Sequence, residues 1–222
     1  RIQSEFTLFT EIGGKMRVKS LSICALTFLA VGSPVFAQSN DLNIKTCTTM
    51  GDHSAKVVII GDSFFTTNKG KPGSLESYLS KFIRGACVEN LAKGGARFSG
   101  FGSNRIQKQK SKSIPELLII GGGGNDFIRC GSDTSCMQKT LNKILSQDIQ
   151  RGWLTKAIAE NSDSNTKIIV LYPSDVTPHA PDAWKTVIKN IGQKYVSRMA
   201  RFAETNPGVF WLDATLVAKT TV

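Results

Sequence analysis

Five short apolar runs most constrain what this chain can fold into: Val57–Ile60, Val88–Ala92, Leu117–Ile120, Ile168–Leu171 and Val209–Leu212. A strand with one wet face alternates apolar and polar side chains. Near-continuous apolar runs instead suit strands buried on both faces, as in a parallel sheet. The segments between them carry helical spacing. Leu75, Tyr78, Leu79, Phe82 and Ile83 fall on one face, and Leu141, Ile144 and Leu145 with Trp153, Leu154, Ala157 and Ile158 form another helical region. Pro181-Asp182 opens a third, carrying Trp184, Val187, Ile188, Ile191, Tyr195, Met199 and Phe202, and Pro207-Gly208 ends it. Strand and helix alternate with short connections, which predicts a three-layer, doubly wound α/β domain on a mostly parallel five-stranded sheet. There are no internal repeats, low-complexity runs or linkers.

The ends of the chain read differently. Residues 1–15 have no strong periodicity, and the first plausible initiator is Met16. From there Arg17 and Lys19 precede an apolar stretch from Leu21 to Val31, and Val35-Phe36-Ala37 suits cleavage before Gln38. That is the pattern of a secretory signal over 16–37, too short to span a membrane comfortably. Residues 1–15 then read as upstream read-through, and 38–222 as one domain. Without residues 1–37 the formal charge falls from +11 to +9. Lys and Arg are scattered and not interleaved with aromatics. They read as a solvated basic surface with some attraction to anionic envelope material, not as a nucleic-acid site. Oligomeric state is not encoded.

Four cysteines remain beyond the signal, Cys47, Cys87, Cys130 and Cys136, and an even count in an exported chain suggests disulfides. Cys130 and Cys136 bracket a short polar loop and form the favoured pair, which leaves Cys47 with Cys87. A zinc site is the weaker reading, because no Cys-x-x-Cys spacing occurs and His is scarce.

Three strand ends carry residues that a core does not need. The first run leads into Gly61-Asp62-Ser63, the second into Asn90-Leu91-Ala92-Lys93-Gly94-Gly95-Ala96, and the third into Gly121-Gly122-Gly123-Gly124-Asn125-Asp126. Asp-Ser is also an ordinary helix N-cap pair, and a glycine run can be a mobile turn or a phosphate cradle. The run nevertheless fails the dinucleotide pattern, since Asp126 stands where its third glycine belongs. A hydroxyl, a backbone N–H and an Asn amide on neighbouring strand ends are the equipment of acyl transfer.

These blocks, from about residue 55 to 215, resemble the SGNH (GDSL-type) hydrolases, whose pattern is Gly-Asp-Ser, a glycine loop after the second strand, Gly-x-Asn-Asp and a late Asp-x-x-His. The resemblance implies a flavodoxin-like fold and a metal- and cofactor-free ester hydrolase, with small esters, lipids or acylated carbohydrates as substrates. It makes Ser63 the nucleophile, and the N–H of Ser63, Gly95 and Asn125 the oxyanion hole. Phe64 stands where the family often has Leu.

A serine nucleophile needs a base. His53 precedes the first strand, at the wrong end of the sheet. His179 follows the fourth strand, with Asp175 nearby, but three residues separate the pair and no family block supports it. Asp213 has no His three residues later. The Asp-x-x-His block is absent before Val222, which reads as truncation, with a weakly active hydrolase as the expectation. The rival is a catalytically dead carbohydrate- or acyl-binding domain, and a phosphate-binding α/β domain is a third idea.

Overall fold

The computed structural model describes residues 6–12, 15–21, 56–66, 69–71, 74–83, 86–172 and 182–213. His53, Asp175 and His179 lie outside them. The chain divides into a larger unit, Asn40–Thr215, and a smaller one, Arg1–Ser39 with Leu216–Val222. In the smaller, β1 (Phe6–Ile12) and β2 (Lys15–Leu21) pair antiparallel, with Phe6 opposite Leu21. The sequence suggested no strand here, although Lys15, Arg17 and Lys19 alternate with Met16 and Val18 at a strand's period.

The larger unit holds a five-stranded sheet of β3 (Lys56–Gly61), β4 (Cys87–Asn90), β5 (Leu117–Gly121), β6 (Lys167–Tyr172) and β7 (Val209–Asp213). The order is β4-β3-β5-β6-β7, and every pair is parallel. The five predicted runs are the five strands. The second ends sooner than expected, at Asn90, whose Oδ1 takes the Ala92 N–H at 3.0 Å. The chain still follows β3, with Leu91 N–H on Ile59 O at 2.8 Å and Lys93 N–H on Gly61 O at 3.1 Å.

The helices are α1 (Leu75–Phe82), α2 (Gly124–Ile128), α3 (Thr134–Ile144), α4 (Trp153–Asn161) and α5 (Asp182–Thr205). Ser74 starts α1 by accepting the Ser77 N–H, and Asp133 starts α3 by accepting those of Ser135 and Cys136. The predicted middle region is thus two helices, and α2 was read only as a glycine turn. Val58 and Ile60, Leu118 and Ile120, and Ile168 and Val170 share one buried cluster with Met137, Leu141 and Ile144 of α3, Leu154 of α4, and Val187, Ile191 and Met199 of α5. The alternate residues Val57, Ile59, Ile119 and Leu171 are buried on the other face. The step from β3 to β4 runs opposite to the later ones, so a right-handed crossover puts α1 on that face.

Cys130 and Cys136 are bonded, with Cα atoms 5.5 Å apart, and close the turn between α2 and α3. Cys87 is also disulfide-bonded, to a partner outside the described residues. No described helix is long and apolar enough to cross a membrane.

Candidate active site

The strand order reverses between β3 and β5. In an open parallel sheet the crevice at that reversal, beyond the carboxyl ends, is where ligands bind. Gly61 and Gly121 are register partners there, so the Gly-Asp-Ser and Gly-x-Asn-Asp segments leave the sheet side by side. Both glycines are sterically required. A Cβ on Gly61 would lie 2.2 Å from the Gly121 carbonyl, and one on Gly121 would lie 2.4 Å from the ring of Phe65. Phe65 fills the space that two side chains would occupy.

Ser63 opens a 3-10 turn, Ser63–Phe65, and is exposed. Asp62 caps the turn, its Oδ1 accepting the Phe64 N–H at 3.0 Å. The N-cap interpretation of Asp-Ser therefore holds together with the exposed hydroxyl. Two amide side chains hold this turn, Asn90 of the second strand-end segment and Gln109, which the sequence did not single out. Asn90 Nδ2 donates to the Phe65 carbonyl at 2.9 Å, joining the end of β4 to it. Buried Gln109 grips Gly61 from both sides, its Oε1 accepting the Gly61 N–H at 2.7 Å and its Nε2 donating to the Gly61 O at 2.8 Å. One amide thus satisfies a strand end as a neighbouring strand would.

Gly95 is the third residue of the turn Lys93–Ala96, closed by the Ala96 N–H on Lys93 O at 3.1 Å. Its φ of +71° is what a type II turn demands there, which explains a glycine. Asn125, the second residue of α2, donates from Nδ2 to the Ala96 carbonyl at 3.1 Å. That bond ties Asn125 to the residue that follows Gly95 in the chain. Its neighbour Asp126 is buried and accepts the Phe98 N–H on Oδ2 and the Ser99 N–H on Oδ1, both at 2.9 Å. The glycine run itself is tightly packed: a Cβ on Gly122 would lie 2.5 Å from Ile106 Cδ1.

The model of the GDSL-like lipase/acylhydrolase family matches residues 57–206. The chain belongs to that family. A GDSL-type hydrolase is an esterase- or lipase-type enzyme by family, and the sheet described above is the α/β fold expected of one. No curated protein matches the sequence. Among solved structures, phospholipase A1 from Streptomyces albidoflavus NA297 is similar at 15% identity, over 72% of this chain and 79% of its own, with a TM-score of 0.48. An extracellular lipase from Streptomyces rimosus gives 15%, 73%, 82% and 0.45. A carbohydrate acetylesterase family member from Sinorhizobium meliloti gives 16%, 74%, 92% and 0.44.

The residue before Ser63, Asp62, is a buried acid. Burial pushes the Asp62 carboxyl from 3.8 to about 6; the Phe64 N–H opposes that shift, and the nearby Asp126 adds to it. Tyr195 of α5, stacked edge-on against Phe127, lies within the electrostatic reach of Asp62. Since folding raises this pKa, it favours the protonated acid. The contribution is full below about pH 4 and is lost as the pH rises to about 6. The loss is about 3 kcal/mol by pH 7. Asp62→Asn keeps the acceptor for Phe64 without the charge. Its urea midpoint is expected to stay flat between pH 4 and 7, where that of the native protein falls. The same slope in both proteins would show that Asp62 is not its source.

Among the described residues no three His, Cys, Asp or Glu side chains could hold a metal ion. A shallow cleft lined by Ser162, Asp163, Thr166, Phe202 and Asn206 lies at the amino edge of β6 and β7. It is at the opposite edge of the sheet from Ser63.

Proposed function

We propose that this protein is an exported serine esterase of the GDSL type, working through an acyl-enzyme on Ser63. The Ser63 Oγ attacks the ester carbonyl while its proton passes to a general base. The backbone N–H groups of Ser63 and Gly95 and the Asn125 amide stabilise the resulting oxyanion. Collapse of the tetrahedral species expels the alcohol, which takes the proton back, and water then releases the acid by the same route. An Asn amide has two N–H donors. With one spent on Ala96, the other remains for the oxyanion.

The observation that supports this reading is the placement of the three segments at the carboxyl ends of three adjacent strands, joined by the Asn90–Phe65 and Asn125–Ala96 bonds. The Cys130–Cys136 disulfide supports export, because such bonds persist in oxidising compartments. His179 with Asp175 is the candidate base pair on this chain. A fluorophosphonate ester is expected to label the protein once, with mass spectrometry placing the adduct on Ser63. Labelling elsewhere, or none alongside an absence of ester hydrolysis, would favour a binding domain that keeps the pocket without the chemistry.

A further inference from the structure

The fold gathers cations that look scattered in the sequence. The two loops that leave the carboxyl ends of β3 and β4, residues 62–74 and 91–105, contain Lys69, Lys71, Lys93, Arg97 and Arg105. Their one acidic residue is Asp62, which is buried. None of the five cations pairs with a carboxylate among the described residues. The loops touch. Lys69 Nζ donates to the Ala92 carbonyl at 3.0 Å, beside Lys93, while Arg97 and Arg105 are bridge partners.

From the same edge an aromatic side chain stands in solvent. Phe101 is 86% exposed, and Phe64, next to Ser63, is 45% exposed. Single exposed apolar residues are ordinary, but this one is held outward. The Arg97 N–H bonds to Asn104 O and the Ile106 N–H to Arg97 O, both at 3.0 Å, which closes the loop at its base. Asp126 fixes the Phe98 and Ser99 amides just before the tip. These bonds fix the root from which Phe101 projects.

We propose that this edge docks on an anionic lipid surface, with Phe101 as the apolar anchor and Lys69, Lys71, Lys93, Arg97 and Arg105 as its cationic collar. Cations are drawn to the negative headgroup layer, and an aromatic ring gains by entering the boundary between headgroups and acyl chains. A soluble polyanion would use the collar and gain nothing from Phe101. Docking in this way would bring acyl esters to Ser63, a consequence that rests on the hydrolase reading, although the docking itself does not.

The test is cosedimentation of the full chain with vesicles of phosphatidylcholine alone or with phosphatidylglycerol added. Binding is expected to be at least about tenfold tighter with phosphatidylglycerol and to weaken steeply with salt. Phe101→Ser should weaken it about tenfold with an unchanged unfolding midpoint, since the side chain touches solvent in the free protein. Phe101→Trp should bind as the native protein does, with fluorescence shifted to the blue on vesicles. Equal binding to both vesicles, no binding, or a Phe101→Ser variant that binds normally would overturn the proposal, the last pointing to a polyanion. Ser63→Ala separates the two readings. Vesicle binding without any Ser63-dependent ester cleavage leaves docking standing and removes the hydrolase, and cleavage without vesicle binding does the reverse.

Discussion

Ser63→Ala is expected to remove nearly all ester hydrolysis, leaving only the slow turnover that the oxyanion donors support by themselves, while leaving the protein folded. Release of p-nitrophenol from short-chain esters measures the first part. Without Oγ there is no acyl-enzyme, and the remaining donors can only polarise a carbonyl that water must attack unaided. The second part follows from exposure. Ser63 is at the surface, and the turn it opens is capped by the Asp62 side chain and closed through backbone groups. The stability change should therefore stay within about 0.5 kcal/mol. Ester hydrolysis that survives Ser63→Ala at a near-native rate would remove this residue from the mechanism. An equal loss in His179→Ala would identify the base that Ser63 requires.

The largest expected effect on stability belongs to Asp126. Its carboxyl accepts two backbone N–H groups of the loop after β4, one of them from Phe98, whose ring is in the core. Asp126→Ala leaves both donors without a partner in a largely buried setting, at about 1–3 kcal/mol each. A combined loss of about 2–5 kcal/mol in urea unfolding is expected. Asp126→Asn should fall between, because its amide oxygen can serve one donor while its N–H₂ faces the other. Activity should drop with it, since Ala96, to which Asn125 bonds, is on the same loop. A loss below about 0.5 kcal/mol would mean that the loop holds its shape by other means.

Asp126 shows where sequence reading stopped. The motif included it, but as the neighbour of Asn125, because an acid two residues past a glycine run gives no sign of which amides it will meet. The strands were legible for the opposite reason. Val57–Ile60 and Leu118–Ile120 are buried on both faces, and a short branched run of this kind between turn residues suits a central parallel strand. Helix α1 was legible from its spacing, whereas α2 was not, because its start is glycine, the poorest of ordinary helix formers. Gln109 and the partner of Asn90 were hidden on another ground. The two amides meet backbone groups of Gly61 and Phe65, far along the chain, and backbone groups carry no residue identity to match. The five cations were visible one by one, and only the Lys69–Ala92 and Arg97–Arg105 contacts reveal that they gather.

The closed base of the loop between Arg97 and Arg105 separates two kinds of change. Bonds at Arg97 and Ile106 close the root on itself, and those of Phe98 and Ser99 hold it to Asp126, whereas the side chains of Phe101 to Asn104 are exposed. The entropy of closing a loop grows slowly with length, by about 0.6 kcal/mol per doubling. The tip is therefore an exchangeable cassette: residues can be inserted, removed or rewritten there while the root keeps Ala96 against Asn125. Descendants of this protein, or an engineer, could alter what its rim meets without rebuilding the turn that carries Ser63.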